Sequence, residues 1–363
     1  MRKGALGLAA TTAAMRFSTA ILQAATPLLL ASSGLRLFGV ASLTVILWAA
    51  VTVGSLLASL IKRPWIVSVT GLIAMSVGLL ILYLSTGLAL LAIPLAGLGA
   101  GLASSVLAPM LHAMSSRERP FEGVASYSFS LSIGLIAAMA FTSVAAVKDL
   151  PIAFLGSSTV AAAIAAIILI YRVEEPPLKV EIPTLSDVKR LFSEAGFTKA
   201  FASNFTYSVV FPFVLSYWAL YATRVLGLGA DIAFALLSAM FLFSGAVRGL
   251  SVGFSDTKTA HKVAEILLVI SVALLASKNQ ALAVAGLLLF AIPHSLIYPT
   301  TLYTALSSGP HHIKANYLYS ASSGAGEVLS PIVAAVTIAK AGLGPLYLVA
   351  IPLALASLLS SVL

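Results

Sequence analysis

RVEEPPLKVEIPTLSDVKRLFSEAG, residues 172–196, is the longest polar stretch in the chain and lies at its middle. Glu174-Glu175-Pro176-Pro177 stops the helix before it, because proline lacks the donor that a helix needs and clashes with the preceding turn. Ser186-Asp187 then offers an N-cap for a short amphipathic segment, Val188–Ala195. On both sides the sequence turns apolar, in runs near the roughly 20 residues that a bilayer-spanning helix requires. Before the stretch these runs lie at 5–31, 37–61, 65–86, 88–112, 122–147 and 151–172. After it they lie at 197–222, 228–252, 262–278, 280–306, 315–339 and 343–362. The expected architecture is an all-α membrane protein of about twelve transmembrane helices in two pseudo-symmetric six-helix bundles. Residues 1–173 form the N-terminal bundle, 174–196 a cytoplasmic linker and 197–363 the C-terminal bundle.

Charge supports this reading. Only 9% of the chain is charged, against about 25% in soluble proteins, and a charge at a helix centre costs at least about 2.5–3.5 kcal/mol. Helices are the default for the spans, since lipid cannot satisfy an open strand edge. The net charge of +9 does not point to nucleic acid, because the basic residues follow the loops. The N-terminus and even-numbered loops hold fifteen: Arg2, Lys3, Lys62, Arg63, Arg117, Arg119, Arg172, Lys179, Lys189, Arg190, Lys199, Arg248, Lys258, Lys262 and Lys314. Odd-numbered loops hold five, Arg36, Lys148, Arg224, Lys278 and Lys340, and Arg16 remains inside a span. Basic residues favour the cytoplasmic side, so both termini are expected there, with the chain multi-pass in the cell membrane. A ten-span fold of two five-helix halves would break the alternation. Met1-Arg2-Lys3 superficially resembles a signal peptide, but Arg16 interrupts the apolar region, as in an uncleaved first span. The absence of cysteine excludes disulfides and Cys-ligated metals. Its absence, with few Asn and Gln, also fits a thermophile composition.

The halves echo each other. At an offset of 192, Ser115-Ser116 matches Ser307-Ser308, Tyr127 matches Tyr319, Ser130 matches Ser322 and Gly134 matches Gly326. At 195, Gly54 matches Gly249, Arg63 matches Lys258 and Ser76 matches Ser271. These matches fall on equivalent spans, as a duplication requires.

Between spans two and three the chain reads Gly54-Ser-Leu-Leu-Ala58-Ser59-Leu-Ile61-Lys62-Arg63, span four carries Gly97-Leu-Gly99-Ala-Gly101, and Arg117-Glu-Arg119 runs on to Gly123. With the 6+6 duplication, this resembles the major facilitator superfamily of secondary transporters. The first Gly and final basic pair of that family's G-x-x-x-D-R-x-G-R-R-like loop match. Its acidic, basic and second Gly positions are Ala58, Ser59 and Ile61 here, and Ile93 stands where many drug exporters have Arg. The resemblance implies two bundles rocking about a midplane site, with spans one, four, seven and ten lining the cavity. It also implies a gating role for Gly54, Lys62, Arg63, Arg248 and Asp256, and a monomer.

Ionisable groups inside a membrane are functional candidates. Arg16, His294 and Glu327 each fall near the middle of a span. Thr12, Arg16, Thr19, Gln23 and Thr26 recur at helical spacing as one hydrophilic face. On it Arg16 is either an anchor for a carboxylate or a buried packing partner. Glu327 lies on a stripe with Asn316, Ser320, Ser323 and Ser330, placed to bind and release a proton or to pair with Arg16. His294 follows Pro293, with Tyr298 and Thr301 on the same face, and Pro293 and Pro299 predict a kink. Asn204 and Tyr207 in span seven complete the candidate substrate-binding set of Arg16, Gln23, Asn204, Tyr207, His294 and Tyr298. Glu327 and His294 are the proton-coupling candidates. No Walker A sequence, metal-ligand spacing or Ser-His-Asp set appears, so neither an enzyme nor a cofactor is expected. The expectation is proton-coupled transport of a small organic solute, preferably an anion or carboxylate. The alternatives are a multidrug or metabolite exporter, and a non-transporting receptor or assembly protein on the same fold.

Overall fold

The structure is a computed structural model, and it describes residues 3–58, 63–113, 120–171, 183–251, 257–308 and 312–362. Among these there is no strand. The chain forms two compact units, Met1–Val180 with Leu228–Ser238, and Glu181–Gly227 with Ala239–Leu363.

Unit 1 contains α1 (Lys3–Ser32), α2 (Leu37–Ala58), α3 (Pro64–Leu84), α4 (Ala89–Ala113), α5 (Pro120–Lys148) and α6 (Pro151–Tyr171). Its core pairs α3 with α4 and α6, α2 with α4, and α1 with α5. Gly54 on α2 shows how close these helices run, since a Cβ there would meet the Leu98 carbonyl of α4. Without a hydrophobic force between helices in lipid, small residues supply the contact. Hydroxyls finish the joints: Ser76 Oγ donates to the Ser158 carbonyl at 2.9 Å and Ser158 Oγ to that of Ser76 at 2.8 Å.

Unit 2 contains α7 (Leu185–Ser193), α8 (Ala195–Arg224), α10 (Thr257–Leu275), α11 (Gln280–Leu289), α12 (Ala291–Ser307), α13 (His312–Ala341) and α14 (Ala350–Val362). Of α9 (Ala230–Ser251), residues from Ala239 onward fall in unit 2 and its start in unit 1. Helix α8 is the axis of unit 2, packed against α12, α13 and α14. It is buried almost continuously from Tyr207 to Ala222.

Ten helical stretches of the described residues are long and apolar enough to cross a membrane, with α11 and α12 counted as one. Helix α10 carries Lys258, Lys262 and Glu265, and α14 has 13 residues; these take the ninth and twelfth places. Leu90, Leu91, Ile170, Leu242 and Phe243 project from the surface, as lipid-facing residues do. The interruption in span ten falls at Phe290, because Pro293 offers no N–H to the Leu289 carbonyl.

The linker helix starts earlier than Ser186-Asp187 suggested. Thr184 is the N-cap, and its hydroxyl accepts from the Asp187 N–H while Asp187 accepts from the Thr184 N–H. That is a reciprocal capping box. Leu191 is buried, and the Phe192 ring meets Phe197 and Phe201 of α8 edge-on at 5.4 and 4.9 Å. Lys314 at the start of α13 donates to Asp187 Oδ2 at 2.8 Å. This bond first, then those from Thr184, holds the Asp187 carboxyl well below the usual carboxylate range.

Candidate functional site

In unit 1 the polar groups lie along α1. Thr12, Thr19 and Thr26 are buried, and each donates to the carbonyl four residues earlier, those of Leu8, Met15 and Leu22. The helix thus satisfies its own hydroxyls and carries a polar face at little cost. Arg16 is half-buried at mid-helix, and its Nη1 donates to Gln23 Oε1 at 3.2 Å, two turns along the same face. Gln23 is itself buried, so the guanidinium is oriented along the helix rather than left to find its own rotamer. Beneath it, Gly134 of α5 lies so close that a Cβ would strike the Ala13 carbonyl and Arg16 Cβ.

The same crossing occurs in unit 2, 192 residues on. A Cβ on Gly326 of α13 would strike the Phe205 carbonyl and Ser208 Cβ of α8. The serine at this second crossing takes the place that Arg16 holds at the first. Glu327 follows Gly326, where the first half has Leu135.

The unit 2 candidates gather on α8, α9, α12 and α13. Tyr207 OH lies 2.6 Å from His294 Nδ1. The imidazole stacks on Phe211 at 4.8 Å and 11°, and meets the Phe241 ring at 5.4 Å and 67°. Phe290 lies parallel to it at 6.4 Å. His294 is therefore enclosed on several sides by aromatic rings. Arg248 Nη2 donates to the His294 carbonyl at 3.1 Å. Arg248 and Glu327 both lie within electrostatic reach of Tyr298. The Tyr298 ring sits 5.8 Å from that of Tyr319, and Tyr319 OH donates to the Tyr298 carbonyl at 3.1 Å. Tyr207, His294, Tyr298, Arg248 and Glu327 thus share one region of unit 2.

Asn204, one turn before Tyr207 on α8, packs against α13. Its amide nitrogen lies 2.7 Å from both Ser322 Oγ and Ser323 Oγ, and 3.2 Å from the Tyr319 carbonyl. Of the gating candidates, Gly54 is at the α2–α4 crossing and Arg63 is exposed before α3. Lys62 and Asp256 lie outside the described residues, as do the Arg117-Glu-Arg119 loop and linker residues 174–182. The Asn316 side chain is likewise outside them.

A second polar cluster has no counterpart among the sequence candidates. Glu265 on α10 is buried, and Ser203 Oγ of α8 and Ser357 Oγ of α14 both donate to its Oε1, at 2.5 and 2.9 Å. His261, one turn earlier, brings Nε2 to 3.6 Å from the same oxygen. The available signal was His261 and Glu265 at i,i+4 ahead of an apolar run. Among the described residues no group of three or more His, Cys, Asp or Glu side chains is placed to hold a metal.

No known family model matches the sequence, and no curated protein resembles it in sequence. The fold has clear relatives. A POT family transporter, solved with a thioalcohol-conjugated peptide, superposes with a TM-score of 0.80 at 10% identity, covering 99% of this chain and 95% of that one. The peptide transporter POT in complex with sulfate gives 0.75 at 14% identity, over 98% and 94%. The human organic anion transporter MFSD10 (TETRAN) gives 0.70 at 13% identity, over 99% of both chains. The chain therefore has the major facilitator fold across its whole length.

Proposed function

We propose that this protein is a secondary active transporter that works by alternating access, coupled to protons, and moves a small organic solute bearing a carboxylate. The observation that carries the reading is Arg16, a permanent cation at mid-helix on a buried polar face, oriented by Gln23. Such a fork suits a carboxylate better than an ammonium does. The fold relatives include proteins named as peptide and organic anion transporters, and a short peptide or an organic acid carries the group that Arg16 would hold. Glu327, half-buried and grouped electrostatically with Tyr298 and Arg248, is the carboxyl that would load and release the proton. The two bundles, 1–173 and 197–363, would rock against each other with the linker permitting the motion, and the termini would be cytoplasmic.

The test is uptake into proteoliposomes under an imposed proton gradient. A thermal-shift screen of short peptides, organic acids, sugars and cationic drugs selects the solute first. Arg16→Ala and Glu327→Gln should each abolish gradient-driven uptake while the purified variants still unfold cooperatively. Normal proton-driven uptake by both variants would reject the assignment. Stabilisation by cationic drugs alone would favour an exporter of apolar solutes instead.

A further inference from the structure

The His261–Glu265 cluster is built at the α7 end of unit 2, two turns into α10, and joins four helices. Thr300 Oγ1 of α12 lies 2.7 Å from the Leu296 carbonyl of its own helix and 3.0 Å from His261 Nδ1; a hydroxyl donating within the helix accepts from Nδ1. With the hydroxyl so directed, Nδ1 carries the imidazole proton, and in a neutral ring Nε2 is then a bare lone pair. Nε2 faces Glu265 Oε1 at 3.6 Å and Ser203 Oγ at 3.4 Å. The serine hydroxyl is already committed to the same carboxyl oxygen. The second oxygen, Oε2, is buried with no hydrogen-bond partner. An ionised Glu265 beside a neutral His261 would thus set two acceptors against each other in a buried site, at a cost that pairing would remove. One further proton resolves the conflict, either on Nε2 or on the carboxyl.

We infer that His261 and Glu265 form a proton-binding site holding one shared proton, separate from the Arg16 and Glu327 positions, which fastens α10 and α14 to α8 and α12. His261 is the entry, with its side chain 17% exposed while that of Glu265 is fully enclosed. Proton loss leaves the carboxylate facing the imidazole lone pair and loosens the four-helix joint. Few other charges face the pair. Lys258 and Lys262 flank His261 on α10 and are exposed, as is Lys199 on α8, where Lys199 and the buried Tyr207 lie one turn to either side of Ser203. On α12 the ionisable side chains are His294, Tyr298 and Tyr303, whereas α11 and α14 carry none.

The test uses the full chain in lipid nanodiscs with no transported solute, so its outcome is independent of the transport reading. Infrared spectra collected across a pH titration in sodium-free buffer report the carbonyl stretch of protonated carboxylic acids. Among the carbonyl bands that titrate in the wild type, one should be lost in Glu265→Gln and retained in Glu327→Gln. In His261→Gln, which keeps the carboxyl and covers the case in which Glu265→Gln fails to fold, the band should persist with its midpoint moved by about one pH unit or more. Identical titrations in the wild type and in whichever of these two variants fold would overturn the inference. So would loss of the band on adding sodium at fixed pH, which would mark a cation site.

Discussion

The Asn204 amide faces three acceptors on α13, and in a bilayer such interhelical bonds average only about 0.6 kcal/mol each. Replacing it by Leu should therefore lower stability modestly, by about 1–2 kcal/mol, read as a fall in the thermal unfolding midpoint in detergent. If Asn204 instead contacts the solute directly, the same variant would lose uptake with an unchanged midpoint. The partners of Asn204 lie more than a hundred residues away, so nothing local to it in the sequence announced them. Arg16 was legible for the opposite reason, since a lone guanidinium in an apolar run needs no partner to be conspicuous. Glu265 was missed through a boundary. The apolar run suggested a span from 262, which leaves Glu265 at the helix end beside Lys258 and Lys262. Helix α10 begins at Thr257, which moves Glu265 a turn deeper, into the packed interior.

At the scale of elements, α7 is the piece whose attachment is most open to test. Its apolar side is held by Phe192 on α8, and its N-terminus by the Lys314–Asp187 pair. Lys314→Met should raise hydrogen exchange in Leu185–Ser193 with little change in the midpoint of the whole protein. The pair also fixes a pH dependence. A carboxyl whose pKa is depressed in the folded state contributes fully above its unfolded value, near 4, and that contribution is lost as pH falls below it. Exchange protection of α7 should hold from neutral pH to about 5 and decline only in stronger acid; Asp187→Asn should abolish this dependence. The helix was expected from composition, while its true cap was not. Thr184 and Asp187 satisfy each other, and Thr-x-x-Asp is a weaker signature than the Ser-Asp pair beside it. The interruption in span ten was readable from Pro293, whose missing N–H acts wherever the proline stands.

For the whole molecule, the alternation of basic loops and the repeat at an offset of 192 were enough to read twelve spans in two halves. These are properties of the entire chain, summed over many weak signals, so no single degenerate motif undermines them. The repeat has a structural meaning, because Gly134 and Gly326 make the same crossing on equivalent residues. Adding a side chain at either should cost about 1–3 kcal/mol through overpacking. The atoms nearest each glycine belong to its own unit, so Gly134→Ala and Gly326→Ala should destabilise additively within about 0.5 kcal/mol, measured as unfolding midpoints of the single and double variants. A large non-additive term would mean that the units do not unfold independently of each other's packing.

The paired crossings also bear on how the two halves come to differ in charge. Position for position, the frame offers the same seat twice. One copy seats Arg16 beside Leu135, and the other seats Ser208 beside Glu327. The helices are repeated, and the signs are not. A repeat with matching residues in both seats would carry the same charge twice. Two substitutions, one per copy, are enough to give the repeat a positive and a negative partner without disturbing either crossing.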